Sequence, residues 1–189
     1  MQKYKVQEVY KKLRGDHNVI HWDKLVWNRL SVPKHRVISW LVMHGRLRTN
    51  DVLVKIGVVD SNQCRLCEIG VESHDHLFFQ CEYSIKCLEM VKSWLKVSAV
   101  HNTYQRQMNY IQRSRRSGVQ KKFMAAVFSG LVYHIWWVRN EAIWNQVVCR
   151  PEAVFKRLKQ IIQQRIKMVH SKKLSIRDQR WINSKLEIV

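Results

Sequence analysis

Four residues with metal-binding side chains stand in the order Cys64-x2-Cys67-x8-His76-x4-Cys81. Three thiols and one imidazole are enough to close a tetrahedral zinc site and leave no open position. A closed site is a structural one, because catalysis needs a free coordination place. Three thiolates, a neutral imidazole and Zn²⁺ sum to a local charge of about −1, which Arg65 and Lys86 are near enough in sequence to offset. The spacing predicts a tight turn at Cys64–Cys67 with backbone N–H groups aimed at sulfur. It also predicts a bent loop or first helical turns between His76 and Cys81. The rival readings are a redox dithiol at Cys64–Cys67 and small buried cysteines. His74 competes with His76 for the third position. Cys87 and Cys149 read as core thiols.

The rest of the chain predicts helices. Two prolines and six glycines in 189 residues are few for a β-rich fold, and no alternating stretch is long enough to carry a sheet. Val6, Val9, Tyr10 and Leu13 mark one amphipathic helix, ended by Gly15. Asp23 is placed to cap a short helix through Trp27. Pro33 opens another, with Val37, Ile38 and Leu41 on one face. Asn50 is read as the cap of the helix through Leu53, with Gly57 after it. Ser73 caps a turn into His76-Leu-Phe-Phe. Residues 83–97 put Ile85, Leu88, Val91 and Leu95 on one face. A helical pattern runs from Tyr104 to Gln146 with a break near Ser117-Gly118. Pro151 opens a helix with Val154, Leu158, Ile161, Ile162 and Ile166 inward, and Ser175-x-x-Asp178 starts a last one. Phe123–Val138, the longest apolar run, is interrupted by Ser129, Gly130 and His134 and reads as a core helix, not a membrane span. Trp27, Trp40, Trp94, Trp136 and Trp144 are assigned to the core. The expected fold is all-α, one helical domain over residues 1–189 pinned by a zinc knuckle at about 60–85, with basic helices over 104–189.

Charge points to the partner. Lys and Arg number 34 against 14 Asp and Glu, and residues 95–189 hold 19 of the basic but only four of the acidic groups. Such an imbalance attracts polyanions, with nucleic acid first and an anionic membrane surface or acidic protein behind it. Three clusters are candidate phosphate contacts. Arg46, Arg48, Lys55 and Arg65 flank the metal segment. Arg113, Arg115, Arg116, Lys121 and Lys122 form the second, which also reads as a nuclear import signal. Lys156, Arg157, Lys159, Arg165, Lys167, Lys172 and Lys173 form the third, with few acids to pair with. Trp137 is a candidate for base stacking. Arg139 and Asn140 read as a structural hydrogen-bond network. Five cysteines and no apolar leader fit a reducing compartment.

With these residues in hand, the chain resembles the zinc-binding domain at the C-terminal end of plant LINE-type (non-LTR) retrotransposon reverse transcriptases. The resemblance has three parts. The first is Val26-Trp27-Asn28, Val32-Pro33-Lys34, Trp40-Leu41 and His44-Gly-Arg-Leu-Arg-Thr49-Asn-Asp-Val-Leu53. The second is Cys64-x2-Cys67 with Glu72-x3-His76-Leu77-x3-Cys81. The third is Ile135-Trp-Trp-Val-Arg139-Asn140-Glu-Ala-Ile-Trp144. It spans roughly residues 5–170. Val42-Met43 departs from a stretch that usually contains Arg. The family places its His before Leu, which favours His76 over His74.

Polymerase activity does not carry over. Six Asp (16, 23, 51, 60, 75 and 178) include no adjacent pair, and two-metal chemistry needs clustered carboxylates. There is no phosphate loop and no nucleophile elbow. The expectation is therefore a non-catalytic, zinc-stabilised nucleic-acid-binding domain, with RNA favoured over DNA. A protein-interaction adaptor derived from the same element is the alternative. No membrane partner is expected. The nucleus is the expected location, with the cytoplasm second.

Overall fold

The computed structural model describes residues 22–98, 101–169 and 174–186. The helix expected at Val6–Leu13, and Lys172 and Lys173, lie outside these residues. Among the described residues there are eight α-helices and no strand. They are α1 (Asp23–Val26), α2 (Pro33–Met43), α3 (Asn50–Lys55), α4 (Glu82–Leu95), α5 (Tyr104–Arg113), α6 (Gly118–Trp144), α7 (Pro151–Val169) and α8 (Ile176–Leu186), with a π turn at His76–Gln80 before α4. The all-α reading holds, apart from one isolated antiparallel bridge, Gln63 to Val71.

Helix α6 is the axis. Its 27 residues span about 40 Å at 1.5 Å per residue. It packs against α1, α2, α4, α5, α7, α8 and the π turn. Because neighbours surround it, its run from Phe123 to Val132 is buried all round, the pattern of a core helix. No described helix is long and apolar enough to cross a membrane. Its start is set by chemistry that the sequence shows. Ser117 accepts the Gln120 N–H at 3.2 Å, and its hydroxyl donates to Asp178 at 2.6 Å. That bond, with a second from Ser175, holds the Asp178 carboxyl below its ordinary range. Ser175 also accepts the Asp178 N–H at 3.1 Å and donates its hydroxyl to the Asp178 carboxylate at 2.9 Å, so Ser175 starts α8 as expected.

Other expectations fail in instructive ways. Val37 and Ile85 are exposed. In α4 the inward place belongs to Ser84, whose hydroxyl donates to the Leu77 carbonyl at 2.5 Å. In α2 the fully buried residues are His35 and Ser39, with Ile38 and Leu41 at the flanks. The cause is close approach. A Cβ on Gly130 of α6 would lie 2.6 Å from a Leu158 methyl and 3.3 Å from His35 Nδ1. Three helices meet there, and a branched side chain would not fit. Trp27 and Trp144, assigned to the core, are exposed, Trp144 by 80%. Each lies at or just past the end of its helix, beyond the reach of the facing elements. Trp94 and Trp136 are half-buried and pack on the core, while the half-buried Trp40 lies against His44, with ring centroids 4.7 Å apart.

His35 and His134 form a buried pair, with ring centroids 5.6 Å apart. Neither ring nitrogen of His35, nor Nε2 of His134, has a partner. Burial first, then His134 and Lys34, push His35 down to about 3. Burial first, then Arg157 and Lys34, push His134 down to about 4. Unfolded, both return to 6.5, so below that pH the unfolded chain takes up protons first. Stability is therefore full above pH 6.5 and is lost as pH falls towards the folded values. Thermal unfolding of zinc-saturated protein should show Tm falling between about pH 6.5 and 5. A His35→Gln/His134→Gln variant should show a flatter slope; equal slopes would contradict the assignment.

Candidate metal centre

Cys64, Cys67, His76 and Cys81 converge, with all four donor atoms within 4.8 Å of one another. Cys64 Sγ lies 3.8 Å from Cys81 Sγ, and Cys67 Sγ lies 3.4 Å from His76 Nε2. Two thiolates on one tetrahedral zinc at about 2.3 Å stand roughly 3.8 Å apart, and a thiolate and imidazole roughly 3.5 Å apart. A disulfide would need about 2.05 Å. The donor set and its spacing thus fit zinc. His76 completes the cluster and His74 does not.

Local geometry explains each ligand. The Glu68 N–H bonds back to the Cys64 carbonyl at 2.9 Å, closing the first turn, and Cys64 N–H bonds to the Gly70 carbonyl at 2.7 Å. Ser73 accepts the His76 N–H at 3.1 Å, as its expected cap role requires. Residues five apart on an α-helix point about 140° away from each other, so His76 and Cys81 could not share a metal there. The π turn resolves this by bonding Cys81 N–H to the His76 carbonyl at 2.7 Å, which stacks residues five apart. Cys81 then serves as the N-cap of α4, where thiolate charge is favoured by the helix dipole.

The buried Cys64 and Cys81 thiols lie close enough to share one proton, which zinc would displace. A hydrogen bond from the Cys81 thiol holds Cys64 down to about 5 against burial, and the Leu66 and Cys67 N–H groups assist. The Cys81 thiol donates that bond and is correspondingly raised. Cys87, fully buried, is pushed up to about 12 by burial, which suits an inert core thiol.

A buried ion pair backs the centre. Glu72, with no exposed surface, accepts from Arg139 Nη2 at 2.6 Å and Nε at 2.9 Å. The same oxygen accepts the Asn50 N–H at 2.9 Å. Arg139 Nη2 also donates to Asn50 Oδ1 at 2.7 Å, and its guanidinium lies 4.9 Å from the Trp136 ring centroid. The network expected at Arg139 and Asn140 is present. Asn50 is not the cap that its position implied: Thr49 precedes the helix, and the Asn50 amide reaches sideways to the Gln63 carbonyl at 2.9 Å.

The basic residues named from sequence do not form one surface. Arg48 sits beside the knuckle, with its carbonyl 3.4 Å from Arg139, and Arg65 is exposed on the ligand turn. Arg46 lies over the Trp40 ring at 5.4 Å. Lys121 donates to the Gln112 carbonyl at 2.8 Å, at the carbonyl end of α5. Arg113, Arg115 and Lys122 are exposed, and Arg116 is half-buried. On α7, Lys156 and Lys167 point outward, Lys159 is half-buried on one edge, and Arg165 lies on the opposite edge. Trp137 is half-buried beneath Arg157, 4.8 Å away. Gly70 was missed, though its role was open to view as a glycine between ligands. A Cβ there would lie 2.5 Å from His76 Cε1.

A Cys3His centre closed on an all-helical frame defines a structural zinc-binding domain. Residues 4–87 match the model of a family described as zinc-binding in reverse transcriptase. The match ends at Cys87 and does not include Ile135–Trp144, the third part of the resemblance. No curated protein and no solved structure matches the chain.

Protein purified without chelator should carry about one zinc per chain, and Cys64→Ser should lose it. Gly70→Ala should release zinc to a chromophoric chelator at least ~10-fold faster. Gly118→Ala, whose Cβ would meet nothing within 4 Å, should not. Equal release rates would show that the ring of His76 is not held by this packing.

Proposed function

We propose that the chain is a non-catalytic, zinc-stabilised nucleic-acid-binding domain of reverse-transcriptase type, with RNA or an RNA–DNA hybrid as ligand. The observation that carries this reading is unpaired positive charge on a rigid frame. The chain holds 34 basic and 14 acidic residues. Among the described residues the one salt bridge is the buried Arg139–Glu72 pair. The surface cations are thus largely uncompensated within the described structure. Phosphates would neutralise them and release counterions, which supplies affinity with little sequence readout. The match to a zinc-binding segment of reverse transcriptases supports an origin beside a polymerase that handles RNA and DNA.

The residues have a division of labour on this reading. Cys64, Cys67, His76 and Cys81 would hold zinc, which supplies a cross-link between the ligand turn and the start of α4. Glu72 and Arg139 fix that cross-link to α6. Basic side chains such as Arg46, Arg48 and Arg65 around the knuckle contact phosphate.

Binding of zinc-loaded protein to single-stranded RNA, duplex RNA and duplex DNA across a salt series tests this. The expected result is sub-micromolar affinity near 0.15 M salt, with log K falling linearly in log salt, roughly 0.7–0.9 per phosphate contact. Binding that vanishes near 0.15 M, beside a stable stoichiometric protein partner, would replace the reading with the adaptor.

A further inference from the structure

Four cations from two separate stretches of chain, Lys34 and Arg36 on α2 and Arg157 and Arg165 on α7, lie along one side of α7. Arg165 Nε donates to the Arg29 carbonyl at 3.2 Å. Arg36 Nε donates to the Ser31 carbonyl at 2.9 Å, and its guanidinium is near enough to Arg165 for the two charges to disfavour each other. One flank further along, Lys34 Nζ lies 4.7 Å above the Tyr133 ring, and Arg157 lies 4.8 Å above Trp137. Both of those cations act on the same buried His134. Arg157 and Arg165 share an edge of α7, eight residues or about 12 Å apart. That is the axial rise of three to four nucleotides in one strand of a duplex.

The local design is unfavourable without a ligand. Lys34 and Arg36 sit in the first turns of α2, where the helix dipole repels positive charge. That end has no acidic residue in its first turn and no side-chain cap. No salt bridge among the described residues involves any of the four. Like charges held together against a helix N-terminus need an anion, and a row of them needs a repeating one.

We propose that Lys34, Arg36, Arg157 and Arg165 form the principal phosphate-binding track of this chain, lying across α2 and α7 with Tyr133 and Trp137 as its floor. The proposal rests on the nucleic-acid reading and gives it an address. The aromatic floor orients the cations from below and leaves their N–H groups for phosphate oxygens. The track lies on the α7 edge that faces α2, and the outward Lys156 and Lys167 are not part of it.

The test compares two double substitutions on the same helix that each remove two positive charges, using the full zinc-loaded chain and a fluorescent single-stranded RNA. Arg157→Gln/Arg165→Gln should weaken binding at least ~10-fold near 0.15 M salt and lower the salt slope by about 1.4. Lys156→Gln/Lys167→Gln removes the same charge and should change affinity less than about 2-fold. Lys34→Gln, at an exposed position, repeats the test without touching α7 and should weaken binding about 3-fold or more. Zinc content and Tm check that each variant is folded. Equal losses from both α7 pairs would overturn the track and leave the nucleic-acid reading standing. Wild-type protein that fails to bind RNA or DNA would overturn the reading itself. Track-dependent binding to phosphatidylserine vesicles that exceeds RNA binding would overturn the proposed ligand.

Discussion

The carboxylate of Glu72 is the point on which the zinc centre and the helical body depend. It is fully buried, and one of its oxygens takes both Arg139 contacts and the Asn50 N–H. Residues 50, 72 and 139 belong to three segments separated by long stretches of chain, so no local structure explains their meeting. A buried ion pair adds little net stability over an apolar replacement, but a single partner left behind costs about 3–5 kcal/mol. Such a pair disfavours any arrangement in which the knuckle leaves α6. Glu72 also takes part in the backbone of the knuckle, donating to the Asn62 carbonyl at 2.8 Å. The metal site and α6 therefore share one hydrogen-bond network.

This bears on how far the zinc-binding segment extends. The family match ends at Cys87, yet the charge that satisfies Glu72 comes from Arg139. Tyr83, at the start of α4, donates to the Cys149 carbonyl at 2.7 Å, a second tie across the same boundary. One hydrophobic cluster runs from Leu25 to Ile182. The matched segment and the helices after it bury each other's surfaces.

Much of the frame was legible in the sequence because its signals are local. Cysteine and histidine spacing named the ligands, Pro33 and Pro151 marked helix starts, Ser117-Gly118 marked a break and Ser175 marked a cap. What was hidden depends on three-dimensional approach. Hydropathy put Val37 and Ile85 inward, but a helix crossing at Gly130 and a hydroxyl at Ser84 changed which residues could be buried. The π turn that brings His76 and Cys81 together has no sequence signature beyond the spacing that it serves. The charged residues of α7 looked like one stripe, but i, i+4 rows separate Arg157 and Arg165 from Lys156 and Lys167. The cations at Lys34 and Arg36 gained meaning only when α2 was seen beside α7. Lys34 and Arg36 did leave one trace, a helix start carrying two cations and no acid.

A double-mutant cycle on Glu72 and Arg139, read by denaturant unfolding and by zinc release, tests the central claim most directly. Glu72→Gln and Arg139→Met should each destabilise by about 3–5 kcal/mol and should each speed zinc release. The double variant should lose much less than the sum, with a coupling of at least ~2 kcal/mol. Additive losses, or an Arg139→Met variant that unfolds at lower denaturant while its zinc release stays unchanged, would contradict the claim that the metal centre and the helical body are one unit.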